Sequence, residues 1–295
     1  VGTVVDVGQL WSSSNQDVGD PIVLYDKYAD RWLISQLGSG MDFNIGVSQT
    51  NDPTGSYYIY TYSAPDFPDY PKYSIWADGY YLTTNWSAST AIPNLVFTFE
   101  RDQMILGNPN ARFVTGIYDP GPNSGFYIDM PADADGQLPP YGTPAVICGY
   151  YDNAWNGGAD SICIWHVAVD WTATTPTSVV TQQPSLVPAA FDASYDSNWN
   201  DIPQPNTTNK LDGIGGIIQF RNQWRMWTGY NTMVVCFPIK LSSSPIIRAI
   251  RWMELRQDQS TGLWSIYQES TYAPDNYCRW MGAIAMDDEG NISLC

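Results

Sequence analysis

Apolar and polar residues alternate with a period of two along almost the whole chain, and no apolar stretch repeats at the 3.6-residue period of a helix. This feature constrains the fold most, because a period-two pattern buries one face of a strand and wets the other, whereas on a helix it would scatter apolar residues around every side. The expected class is all-β. After Gly19 four such runs, PIVLYD, RWLISQ, FNIGVSQT and YYIYTYS, follow one another with polar turns between them. Asp26 and Asp30 flank the first turn, and Asp20 precedes the first strand.

Four consecutive antiparallel strands make one propeller blade. A polar start followed by an apolar strand and a turn returns at Asp69 (DYPKYSIWADGYYLTTN), Tyr141 (YGTPAVICGYYD), Leu211 (LDGIGGIIQFRNQWRMW) and Cys278 (CRWMGAIAMDDEGNISL). These starts recur every 50 to 70 residues, roughly the length of a blade with insertions. The sequence therefore predicts a β-propeller of four-stranded antiparallel blades, about four and a half of them, in a single domain over 1–295 that is truncated at one or both ends. An irregular β-sandwich is the alternative. A half-built blade would leave open sheet edges, which invite assembly with copies of the same chain.

Charge narrows the partners. Lys and Arg number 13 against 30 Asp and Glu, a formal charge of -17, so phosphate backbones and anionic membranes are repelled and nucleic acid is excluded as a partner. No apolar run is long enough to span a bilayer. The N-terminal VGTVVDVGQLW lacks the basic and apolar regions of a signal peptide. Glycan or protein partners fit such a surface. The five cysteines have no CxxC spacing, and Cys148 and Cys163, on neighbouring expected strands, are the candidate disulfide. Sequons begin at Asn85, Asn206 and Asn291.

The strings GDPIVLYDKYADRWLISQ, PADADGQLPPYGTP, IRWMELRQDQSTGLWSIYQESTYAPD and RWMGAIAMDDEGNISL resemble a family of large secreted bacterial proteins. The resemblance implies a β-propeller loosely similar to sialidase-like folds, an extracellular location, and a pattern that continues past Cys295 into a further blade. It supplies no catalytic residues.

In a propeller the polar starts of the first strands converge at the channel mouth. That position nominates Asp20, Asp69, Lys72, Asp212 and Arg279, where grouped carboxylates would attract a cation or raise one another's pKa. The DADG of Asp133 to Gly136, preceded by Asp129, has the alternating oxygens of a short calcium loop, with Asp129, Asp133 and Asp135 as ligands of a structural Ca2+. It lacks the bidentate Glu of an EF-hand. Trp86, Trp155 and Trp199 fall in Asn-, Gly- and Ser-rich segments and are candidates for stacking on sugar rings.

Familiar catalytic sets are poorly served. The single histidine, His166, would have to serve any Ser-His-Asp triad, and a structural histidine is the stronger reading. Several-histidine zinc centres are excluded by that count. Sialidase-like chemistry would draw on Arg248, Arg251, Arg256, Arg279, Glu254 and Tyr272, but alternation splits these arginines between two faces of a strand. The reading is thus an extracellular, non-catalytic binding or structural module. A glycan-active hydrolase using channel-mouth carboxylates is the alternative.

Overall fold

The computed structural model describes residues 6–11, 18–85, 94–119, 127–195 and 200–295. It is all-β. The first expected blade is present strand for strand: β1 (Gly19–Asp26), β2 (Arg31–Leu37), β3 (Asp42–Ser48) and β4 (Tyr57–Ser63) form a four-stranded antiparallel sheet in chain order. The second sheet repeats that order with β5 (Asp69–Ile75), β6 (Tyr80–Asn85), β7 (Asn94–Phe99) and β8 (Phe113–Tyr118), and α1 (Arg101–Ile105) lies between its last two strands.

Two compact units divide the chain. The first comprises Val1–Ile117, Pro140–Gly142 and Ala168–Val179, and the second the remainder. In the first unit the inward residues of both sheets share one core, in which Leu33, Phe43, Ile45 and Val47 meet Tyr73, Leu82, Phe97 and Phe99. Phe43 packs edge-on against Phe97 and Phe99, with ring centroids 5.0 and 6.0 Å away. Burying each such side chain stabilises by roughly 1.5–3 kcal/mol, which is what the period-two pattern encodes. One polar pair pins the sheets together: Arg101 bonds Asp26 through Nε at 2.7 Å and Nη2 at 3.1 Å, and Tyr80 donates to the same carboxylate at 2.9 Å. Asp26 is therefore more than a turn residue.

The second unit departs from the expected starts. The meander after β8 begins at β9 (Met130–Asp135) and continues through β10 (Ala145–Tyr151), β11 (Ser161–Asp170) and β12 (Thr177–Gln182), with α2 (Asn153–Asn156) after β10, and the parts of β11 and β12 within Ala168–Val179 are counted in the first unit. The start expected at Tyr141 is thus the approach to a second strand. A short hairpin, β13 (Ile202–Pro203) with β14 (Lys210–Leu211), takes the place expected for the opener at Leu211. The last meander is β15 (Asn222–Met226), β16 (Tyr230–Ser243), β17 (Ile246–Asp258) and β18 (Trp264–Tyr272). β9 and β15 pair in parallel, fusing both meanders into one eight-stranded sheet. A final hairpin, β19 (Ile284–Met286) with β20 (Ile292–Leu294), packs Ile284 and Met286 against Val234, Cys236 and Ile250.

Candidate functional site

Two of the nominated starts are local copies of one another. Gly19-Asp20-Pro21-Ile22 opens β1 and Asp69-Tyr70-Pro71-Lys72 opens β5, and in both the residue before proline has φ of 51°. A left-handed L-residue is costly by roughly 1–2 kcal/mol, and proline disfavours helical conformations in its predecessor. In both strands the strained residue lies in a register shift: Gly19 faces Leu37 but Ile22 faces Ser35, and Asp69 faces Asn85 but Lys72 faces Thr83. Each start therefore holds one extra residue, a bulge that re-aims its side chains.

β1 and β5 come alongside one another, and their bulged starts bring Asp20, Asp69 and Lys72 into one electrostatic cluster. Burial pushes the Lys72 ammonium down to about 8, and the charges of Asp20 and Asp69 hold it from falling further. Its Nζ lies 3.3 Å from the centroid of the Tyr70 ring and donates to the Pro71 carbonyl at 3.2 Å. Asn85 Nδ2 donates to Asp69 Oδ2 at 3.1 Å. Two carboxylates, an ammonium, an amide and a phenol ring can exchange hydrogen bonds with neighbouring hydroxyls of a polyol. Glycosidic hydrolysis would need, in addition, one protonated and one ionised carboxyl group about 5 to 10 Å apart across the bond to be cut.

Asp212 and Arg279 belong to the second unit and serve local turns. Asp212 Oδ1 accepts the Ile214 amide at 2.9 Å, and Arg279 Nη2 donates to Asp275 Oδ2 at 2.8 Å.

The residues expected to form a calcium loop lie mainly on a strand. Met130–Asp135 is strand β9, and only Gly136, at φ 69°, turns. An extended strand advances about 3.3 Å per residue and carries its carboxylates apart along one face. Each finds separate partners: Asp133 bonds Arg221, Asp135 bonds Gln223, and Asp129 accepts from Tyr127 and Tyr118. Burial raises Asp129 to about 7 against the pull of the two phenols. Gly149 makes the room, since a Cβ there would stand 1.7 Å from Asp129 Oδ1. Among the described residues no group of three or more His, Cys, Asp or Glu is arranged to hold a metal ion.

The disulfide expectation is also corrected: Cys148 and Cys163 are free, buried thiols. Cys148 faces Ile164 and Cys163 faces Gly149, so the one-residue offset directs the two sulfurs to opposite faces of the β10/β11 pair.

Trp155 is half-buried on α2, packed against Tyr127, Tyr150 and Tyr151 at centroid distances of 6.4, 5.4 and 6.1 Å. Trp86 and Trp199 lie outside the described residues. His166 Nε2 accepts from Trp264 Nε1 at 3.0 Å, and burial lowers its pKa, which keeps it neutral and structural. The sialidase-type grouping disperses into separate pairs, Arg248 with Asp201, Arg251 with Glu269 and Arg256 with Glu254.

Sequence reasoning missed Tyr70 and the bond from Asn85. The repeated x-x-Pro start flags Tyr70, whereas Asn85 reaches Asp69 only through the β5/β6 register.

No family model matches the chain, and no curated protein matches it. Among solved structures, an exo-1,5-α-L-arabinanase from a bovine ruminal metagenomic library aligns over 96% of this chain and 98% of its own, at 11% identity and a TM-score of 0.34. That superposition is too loose to bear on fold or activity. Among the described residues no helix is long and apolar enough to cross a membrane.

Proposed function

We propose that the protein is a non-catalytic binding module for neutral glycans, with Asp20, Asp69, Lys72, Tyr70 and Asn85 as its contact residues and its meanders as blades of a β-propeller. The observation that carries this reading is the convergence of two equivalent bulged strand starts on one partly buried ammonium between carboxylates. Such a cluster offers donors and acceptors in the mixture that sugar hydroxyls match. The acid excess disfavours anionic polymers as ligands. The extracellular setting rests on the family resemblance.

The test is calorimetric titration with a panel of neutral oligosaccharides, alongside turnover of mixed fluorogenic glycosides. Saturable binding weakened about tenfold or more in Asp69→Asn, with no turnover, is the expected result, each lost charge-assisted bond contributing about 1.5–3 kcal/mol. Turnover that disappears in Asp69→Asn would replace this reading with the hydrolase.

A further inference from the structure

A polar cavity of about 230 Å3 lies wholly within the second unit. It is lined by the end of the β16/β17 hairpin, between Lys240 and Arg248, and by Ser194, Tyr195, Asn200 and Asp201. Cavities for drug-sized ligands begin at about 300 Å3, so this one has the size for a single small ring in place of several waters, each taking roughly 30 Å3.

The charges of the lining cancel. Lys240 Nζ lies 2.8 Å from Asp192 Oδ2, and Arg248 pairs with Asp201 through Nη2. Asp192 Oδ1 takes the Ser194 amide at 2.9 Å and hydroxyl at 2.5 Å, and Arg248 Nη1 donates to the Ser194 carbonyl at 2.7 Å. With both ion pairs closed, neither an anion nor a cation gains a counter-charge by entering. A ligand is held there by hydrogen bonds and apolar contact.

The groups left open are of both kinds. Arg248 Nε has no partner among the described residues, although its side chain is only 5% exposed, and a buried N–H without an acceptor is destabilising. Ser242 Oγ accepts the Ser244 amide at 3.2 Å and keeps its own O–H to donate. Ser243 adds a hydroxyl and Asn200 an amide, and each of these both donates and accepts. Ile246 and the ring of Tyr195 supply the apolar part, the Tyr195 hydroxyl being bonded to the Pro238 carbonyl at 3.0 Å.

We propose that this cavity binds one neutral sugar ring, at a site separate from the Asp20–Lys72–Asp69 cluster and independent of it. Each hydroxyl of such a ring donates and accepts at once, and the ring carries these hydroxyls on a C–H framework. That combination matches serine hydroxyls, an amide and an unpartnered guanidinium N–H set among an aliphatic and an aromatic side chain.

The experiment titrates the full chain with glucose, galactose, mannose and xylose, with sodium sulfate as the charged control, and follows it by calorimetry and by the NMR signals of isotope-labelled arginine Nε–H groups. Saturable binding of at least one sugar is expected, with a dissociation constant on the order of 1 mM for a ligand this small. The Nε–H signal that Arg248→Lys removes from the spectrum should shift as the sugar binds. Asn200→Ala and Ser243→Ala, both at exposed positions, should each weaken binding about three- to tenfold, as for loss of one hydrogen bond, and leave the unfolding midpoint unchanged. Lys72→Met should leave it unchanged even where oligosaccharide binding at the first-unit cluster is lost, so the two sites fail separately. No saturable response to any of these sugars, sulfate bound as tightly as the sugars, an Arg248 signal unmoved at saturation, wild-type affinity in the Asn200→Ala, Ser243→Ala double variant, or binding abolished by Lys72→Met would each overturn the proposal.

Discussion

The first strands of the two units pair in different ways. In the first unit β1 and β5 open separate four-stranded sheets, and β1 leaves Val23 56% and Tyr25 45% exposed. In the second unit β9 is buried from Met130 to Ala134 and pairs in parallel with β15. Side chains account for the contrast. Asp133 and Asp135 meet Arg221, Gln223 and Arg225 across the β9/β15 seam, whereas the buried carboxylate of β1, Asp26, is satisfied by Arg101 and Tyr80. The lesson is that the distant partners of a strand's carboxylates help to set what the strand lies against.

The largest expected effect breaks the first unit alone. Arg101→Met strands a fully buried Asp26, and removing one partner of a buried pair costs about 3–5 kcal/mol. Denaturant unfolding with hydrogen exchange resolved by segment should show β1–β8 amides losing protection while β15–β18 keep theirs; equal losses would mean the units are not separately held.

Next in size is a pH effect confined to the second unit. Because burial raises Asp129 to about 7, the fold prefers its protonated form. Its stability contribution is whole below the unfolded value near 3.8 and is lost as pH rises through about 7. At about 1.4 kcal/mol per pKa unit the swing is on the order of 4 kcal/mol. Asp129→Asn should remove it, matching wild type at pH 4 and exceeding it at pH 8 in urea midpoints.

A smaller effect tests the seam. Arg221→Met leaves the buried Asp133 without its guanidinium and should destabilise by about 1–3 kcal/mol. Amides at Ala132–Asp135 should exchange faster while the β10/β11 pairing stays protected.

The first unit was legible because β1 through β4 alternate cleanly and their cores are local in sequence. β9 was not. An Asp-rich run ending in glycine has the composition of a loop, and Arg221, which compensates Asp133, lies 88 residues away. Face parity hid the cysteines in the same way: Cys148 and Cys163 are on adjacent strands, but a one-residue offset separates their sulfurs, and an offset of one cannot be read from spacing. At the site, Asp20, Asp69 and Lys72 were legible as polar starts. The bond from Asn85 to Asp69 was not, because it depends on where the bulge shifts the register.

The smallest expected stability change bears on the central claim most directly. Lys72 stays charged near neutral pH against a burial penalty, so Lys72→Met should raise stability by about 1 kcal/mol or more if the amine is held there for a ligand. The measurement is a paired one, the urea midpoint and neutral-oligosaccharide affinity of wild type and Lys72→Met at pH 7. A variant that is more stable and no longer binds is the outcome this account requires; one that is less stable, or that binds unchanged, contradicts it.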